Sequence, residues 1–139
     1  MVDMSPSNSG PLPDTAGALT AGRQVVLVVD DDEAVLGSLQ FALEIEGFRV
    51  LVFRSAEELL DRSGLPSSSC LVVDQNLPGK TGLELVDTLR ARDVHFPAIL
   101  ITSHPPLAVR HQALAAGVAI VEKPLLGNAL SEAIVRVIG

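Results

Sequence analysis

Apolar residues fall along this chain in short blocks of two kinds. Some are nearly unbroken and rich in β-branched side chains: Gln24-Val-Val-Leu-Val-Val29, Ser69-Cys-Leu-Val-Val-Asp74, Pro97-Ala-Ile-Leu-Ile101 and Val118-Ala-Ile-Val121. A block apolar at successive positions suits a strand covered on both faces, as in a parallel sheet. Phe48 to Phe53 reads as one more strand, with Arg49 and Arg54 near its ends. Between the strands the apolar positions recur at helical spacing. Val35, Leu36, Leu39, Ala42 and Leu43 share a face, and Gly47 supplies a stop. Ser55 with Glu58, and Thr81 with Glu84, have the spacing of capping boxes. They predict a short helix near 55–60 and a longer one to about Arg92. Pro105-Pro106 can start a helix, which Gly117 would end. A last helix is predicted from about Gly127 to Val137.

Strand and helix thus alternate five times. That pattern predicts a parallel sheet with helices on both faces. Right-handed crossovers leave few topologies, and the flavodoxin-like (βα)5 fold, strand order 2-1-3-4-5, is the natural one here. Residues 1–22 are rich in Ser, Pro, Gly, Asn and Ala without periodicity, and read as a disordered tail before a single domain at 23–139.

Composition narrows the chemistry. The aliphatic content is high, and Trp and Tyr are absent, so no base-stacking surface is expected. A formal net charge of −7 argues against nucleic acid as a direct partner. Cys70, the one cysteine, lies in an apolar strand and reads as a small buried hydrophobe. No apolar run approaches the ~20 residues of a membrane span. No basic-then-apolar leader opens the chain, so a cytoplasmic protein with no membrane association is expected.

The strand ends carry the functional signal. Strand one ends in Asp30-Asp31, strand three in Asp74, strand four in Thr102 and strand five in Lys123. Each has an ordinary reading by itself: a helix cap for Asp30-Asp31-Asp32, a turn former for Asp74 before Pro78-Gly79, a strand-end hydroxyl, a solvated lysine. In a parallel sheet, however, these ends share one edge, where open α/β sheets place their ligands. Carboxylates crowded there repel unless a cation joins them, and an all-oxygen donor set suits Mg2+. Asp31 and Asp74 would be direct ligands, the Asn76 backbone carbonyl a third, with Asp30 acting through water. Asp74 would be the nucleophile toward a phosphoryl group, a reaction that asks for positioning and charge neutralisation. Lys123 and Thr102 would meet the phosphoryl oxygens.

The motifs Leu27-Val-Val-Asp30-Asp31-Asp32, Val73-Asp74-Gln-Asn76-Leu-Pro78-Gly79-Lys-Thr-Gly82, Ile101-Thr102-Ser103 and Glu122-Lys123-Pro124 closely resemble the receiver domain of two-component response regulators, and within these the receivers of nitrogen-fixation-type regulators. The resemblance runs from about Val25 to the C-terminus. It implies a switch, not an enzyme in the turnover sense. Asp74 would accept a phosphoryl group from a sensor histidine kinase or phosphotransfer protein, with Mg2+ held by the acidic pair Asp30 and Asp31. Thr102 and Lys123 would report the event to the fold. It also implies a cis Lys123-Pro124 bond. Asp32, at a position the family leaves variable, is expected to cap the first helix.

The sequence departs from the family at Ile120, where an aromatic switch residue is common, and at Leu125, where Phe is common. Ser103 is small, as access to the phosphoryl group requires. His104 and Asn76 occupy positions where the family tunes dephosphorylation, and replacing His104 is expected to change the phosphoryl lifetime. The output surface, for a downstream partner or a homodimer, is expected on the fourth helix, fifth strand and fifth helix, near Arg110, His111, Leu125, Leu126, Ala129 and Ala133. No output domain fits after Val137 and Met1 reads as a true start, so the chain is expected to be either a single-domain regulator or a receiver cut from a longer protein. Two rivals remain at this stage. One is a receiver-like interaction module without chemistry. The other is a phosphatase of the haloacid-dehalogenase type, whose Asp-x-Asp pattern Asp30-Asp31-Asp32 also fits.

Overall fold

The computed structural model describes residues 24–125 and 127–138. The expected tail at 1–22, and Leu126, lie outside the described residues. Five strands form one parallel sheet: β1 Val25–Val29, β2 Arg49–Phe53, β3 Ser69–Asp74, β4 Ala98–Thr102 and β5 Ala119–Glu122. Their order is β2-β1-β3-β4-β5, as the alternation required. The helices are α1 Glu33–Ile45, α2 Ala56–Asp61, α3 Gly82–Ala91, α4 Leu107–Ala116 and α5 Ala129–Ile138. The predicted bounds are off by a residue or two, as helix and strand ends commonly are.

The sheet separates two cores, and strand parity assigns each side chain to one of them. Leu27, Val29, Leu71, Val73 and Leu100 face α2, α3 and α4. Val26, Val28, Cys70, Val72, Ile99 and Ile101 face α1 and α5. Both faces of β1 and β3 are therefore buried, which is why those strands read as continuous apolar blocks. Cys70 is buried, and burial pushes its thiol pKa up to about 12, so it is an inert core side chain. On α1 the predicted face holds at Leu36, Leu39 and Leu43, whereas Ala42 is exposed. Ala133 is buried under α5 against the sheet and is not part of any output surface, which corrects the expectation above. A small residue at helical spacing packs as well beneath a helix as beside it, and the periodicity did not separate the two.

Candidate functional site

At the carboxyl edge of the sheet, β1 and β3 run in register, Val29 opposite Val73. Asp30 and Asp74 therefore emerge side by side. Asp74 lies opposite Ile101 on β4, and Thr102 lies opposite Glu122 on β5, which brings Lys123 round to the same edge. The Lys123 N–H donates to the Thr102 carbonyl at 2.9 Å, and the Lys123-Pro124 bond is cis, as expected.

Lys123 then reaches back over the sheet. Its Nζ donates to Asp74 Oδ2 at 3.2 Å and stands 3.6 Å from Asp30 Oδ2. The other oxygens of these two acids bind backbone: Asp74 Oδ1 accepts from Asn76 N–H at 3.0 Å, and Asp30 Oδ1 from Asp32 N–H at 2.9 Å. Asp30 is 0% exposed, Thr102 3% and Asp74 5%. Asp31, Asn76, Ser103 and His104 line the exposed rim. His104 holds a left-handed backbone, φ 45°. Asp32 is spent on capping α1, its Oδ1 accepting from Ala34 N–H at 2.9 Å and Val35 N–H at 3.4 Å. The Asp-x-Asp pattern therefore has one member fully enclosed and the other committed to a helix cap.

Asp30 Oδ2 is buried and has no hydrogen-bond partner among the described residues. Burial first, then the charges of Asp74 and Asp31, raises the Asp30 pKa. The Asp32 N–H and Lys123 oppose that rise without cancelling it. Burial alone would lower the Lys123 pKa, but its hydrogen bond to Asp74 and the charges of Asp74 and Asp30 raise it instead. Carboxylate oxygens of Asp30, Asp31 and Asp74 lie within 4.8 Å of one another. Carboxylate oxygens from three acids, with Asp30 Oδ2 buried and without a hydrogen bond among the described residues, form a donor set that fits a small divalent cation, with room for water on the exposed Asp31 side.

Two features of the site carried no sequence signal. Gln75 is 8% exposed, and its side-chain Oε1 accepts the Leu83 N–H at 3.0 Å. A glutamine after a strand reads as an ordinary loop residue. Arg110 on α4 donates to Glu122 at 2.7 Å, joining α4 to the end of β5. Helical spacing cannot reveal a pair between different elements.

Among the described residues, no helix is long and apolar enough to cross a membrane. The model of the response regulator receiver domain matches residues 26–135. The transcriptional regulatory protein FixJ of Azorhizobium caulinodans is 40% identical over 111 residues, 78% of this chain and 52% of that protein. Nodulation protein W of Bradyrhizobium diazoefficiens is 34% identical over 114 residues, 81% of this chain and 50% of its own length. The crystal structure of FixJ-N superposes with a TM-score of 0.76 at 34% identity, covering 83% of this chain and 93% of that one. The chain spans about half the length of the curated relatives it matches. Sheet order, converging strand ends and these matches agree: the chain belongs to the response regulator receiver domains, signalling switches of two-component systems.

Proposed function

We propose that Asp74 is the phosphoryl acceptor of this receiver, charged by a phosphohistidine on a sensor kinase or phosphotransfer protein. The observation that carries this reading is the 3.2 Å contact of Lys123 Nζ with Asp74 Oδ2, beside two further carboxylates. In the transfer, an Asp74 carboxylate oxygen forms a bond to phosphorus as the phosphorus–nitrogen bond breaks. The electron pair of that bond returns to the imidazole. The product is an acyl phosphate, and the reaction needs little from the protein beyond orientation and charge. Asp74 is held at both oxygens, which orients it. Lys123 leaves the carboxylate for a phosphoryl oxygen as negative charge moves outward. The Thr102 hydroxyl donates to another. Asp30, Asp31, Asp74 and the Asn76 carbonyl would hold Mg2+, which when bound offsets the charge of the acids and the phosphoryl group. His104 and Asn76, on the rim, set how easily water reaches the acyl phosphate, so His104→Ala changes its decay rate.

Beside Lys123 a mostly apolar groove of ≈ 440 Å3 opens, lined by Ala34, Val35, Ser38, Leu39, Ala42, Lys123, Pro124 and Leu125. It suits an amphipathic helix presenting its histidine to Asp74. Output would pass through α4, β5 and α5. Arg110 and His111 are exposed there and Ile120 is half-buried, packed with the α2–α4 core. An aliphatic Ile120 can repack but offers no hydroxyl to the switch. The output partner is a downstream protein or a second copy of the chain, in the cytoplasm.

The test is intact mass after incubation with acetyl phosphate and Mg2+. One phosphoryl group should be gained by the wild type, dependent on metal and absent in Asp74→Asn. No adduct in the wild type, under conditions that capture short-lived species, would leave a binding module without chemistry.

A further inference from the structure

Behind Asp74 the chain is tied both to β4 and to the start of α3. Gln75 makes three hydrogen bonds, one to β4 and two to α3. Its N–H donates to the Ile101 carbonyl at 3.0 Å, which fixes it to the end of β4 beside Thr102. Its carbonyl accepts the Gly82 N–H at 3.1 Å, and its side-chain Oε1 accepts the Leu83 N–H at 3.0 Å. Gly82 and Leu83 are the first two residues of α3, whose leading N–H groups have no partner within the helix. The Thr81 hydroxyl takes the third, that of Glu84. Two of the three are therefore held by the residue that follows the proposed acceptor.

The approach is also close. A methyl on Gly82 would sit 2.8 Å from the Asp74 carbonyl oxygen, 2.7 Å from Leu100 Cδ1 and 3.1 Å from Gln75 Cα. The first turn of α3 thus rests directly on the main chain of Asp74. Gln75 also lines the groove of ≈ 680 Å3 shared with α4 residues Gln112, Ala115 and Ala116.

We infer that Gln75 is a positioning residue for phosphoryl acceptance, tying the Asp74 main chain to the first turn of α3 so that the acceptor and that helix move together. This rests on the reading of Asp74 as the acceptor. The Gln75 hydrogen bonds close the 75–82 turn, which contains Asn76 and its carbonyl. Losing the side-chain bond leaves the first turn of α3 tied to the strand by the Gly82 N–H alone, while Asp74 keeps its own contacts to Lys123 and Asn76. Gln75→Met preserves length and volume but removes the acceptor.

The experiment follows acetyl phosphate labelling at saturating donor together with 15N–1H spectra of both chains. Labelling of the wild type is required first, and its failure would reject the acceptor reading, not this one. Given wild-type labelling, Gln75→Met should label on the order of 10- to 100-fold more slowly, the cost of a small misplacement of a reacting group. The wild-type Leu83 amide resonance should shift on labelling. That reading needs no variant, should Gln75→Met fail to fold. A folded Gln75→Met that labels at the wild-type rate would overturn the inference. So would a Leu83 resonance in the wild type that does not move when Asp74 is charged.

Discussion

The two edges of the sheet use the same strands in opposite ways. At the amino edge, the chain returns from helix to strand with its polar groups matched locally. Phe48 N–H donates to the Leu43 carbonyl at 3.1 Å, Val94 N–H to Leu89 at 2.9 Å and Val118 N–H to Ala113 at 2.8 Å. Gly117 closes α4 with a left-handed backbone, φ 70°. At the carboxyl edge, buried carboxylates face one another over a single lysine, and Asp30 Oδ2 has no hydrogen bond among the described residues. One edge completes the fold. The other gathers three carboxylates about one lysine, an excess of negative charge that a cation would offset. Substitutions at the amino edge should therefore change stability alone, and those at the carboxyl edge should change chemistry first.

The sharpest break is Asp74→Asn, which should abolish labelling by acetyl phosphate while leaving the circular dichroism spectrum intact. Lys123→Met should follow, slowing labelling on the order of 10²-fold, as loss of one preorganised donor typically does. A rate near that of the wild type would show that the lysine contact is structural only. Asp30→Asn should invert the usual sign of a core mutation. In EDTA at pH 7 it should stabilise the fold by on the order of 1–3 kcal/mol, the scale of an unsatisfied buried group, read as a higher urea midpoint. The Asp30 pKa is raised in the fold above the ordinary 3.8. Its protonated form therefore carries stability that is complete below the unfolded value and lost as pH rises through the folded one. The advantage of Asn over Asp should shrink as the pH falls back through that window. A constant advantage at all pH values would place its origin elsewhere. The smallest effect is at the other edge. Gly117→Ala should cost about 1–2 kcal/mol, the penalty for a side chain in the left-handed region, with labelling unchanged.

Much of this contrast was legible in the residue pattern, for a physical reason. A strand covered on both faces must be apolar throughout, so the first polar residue after it marks the edge. Asp30, Asp74 and Thr102 could be lined up by that rule, Lys123 follows the polar Glu122 that ends the fifth strand, and the structure brings all four to one edge. Caps were legible where the partner lies within one turn. Thr81 and Glu84 form the full reciprocal box. At α2 the expectation held by half: Ser55 accepts the Glu58 N–H at 3.1 Å, but Glu58 turns to the Arg54 N–H at 2.9 Å instead of to Ser55. What stayed hidden involves side chains that bridge elements distant in sequence. The buried amide of Gln75, the Arg110–Glu122 pair and the burial of Ala133 each depend on which neighbour covers a position, and periodicity names only the covered face.

The placement of β1 has a consequence for synthesis on the ribosome. This strand is the second in the sheet, flanked by β2 and β3, and every residue of it is buried. Among the described strands it is also the first in chain order. β2 can close one side once α1 has formed, but the other side waits for Val25 to meet Ser69. Until then the nascent chain carries an aliphatic strand with one bare edge, the kind of segment that associates with its own kind. Polysomes crowded with this message would therefore be a natural place to find early-binding chaperones at work.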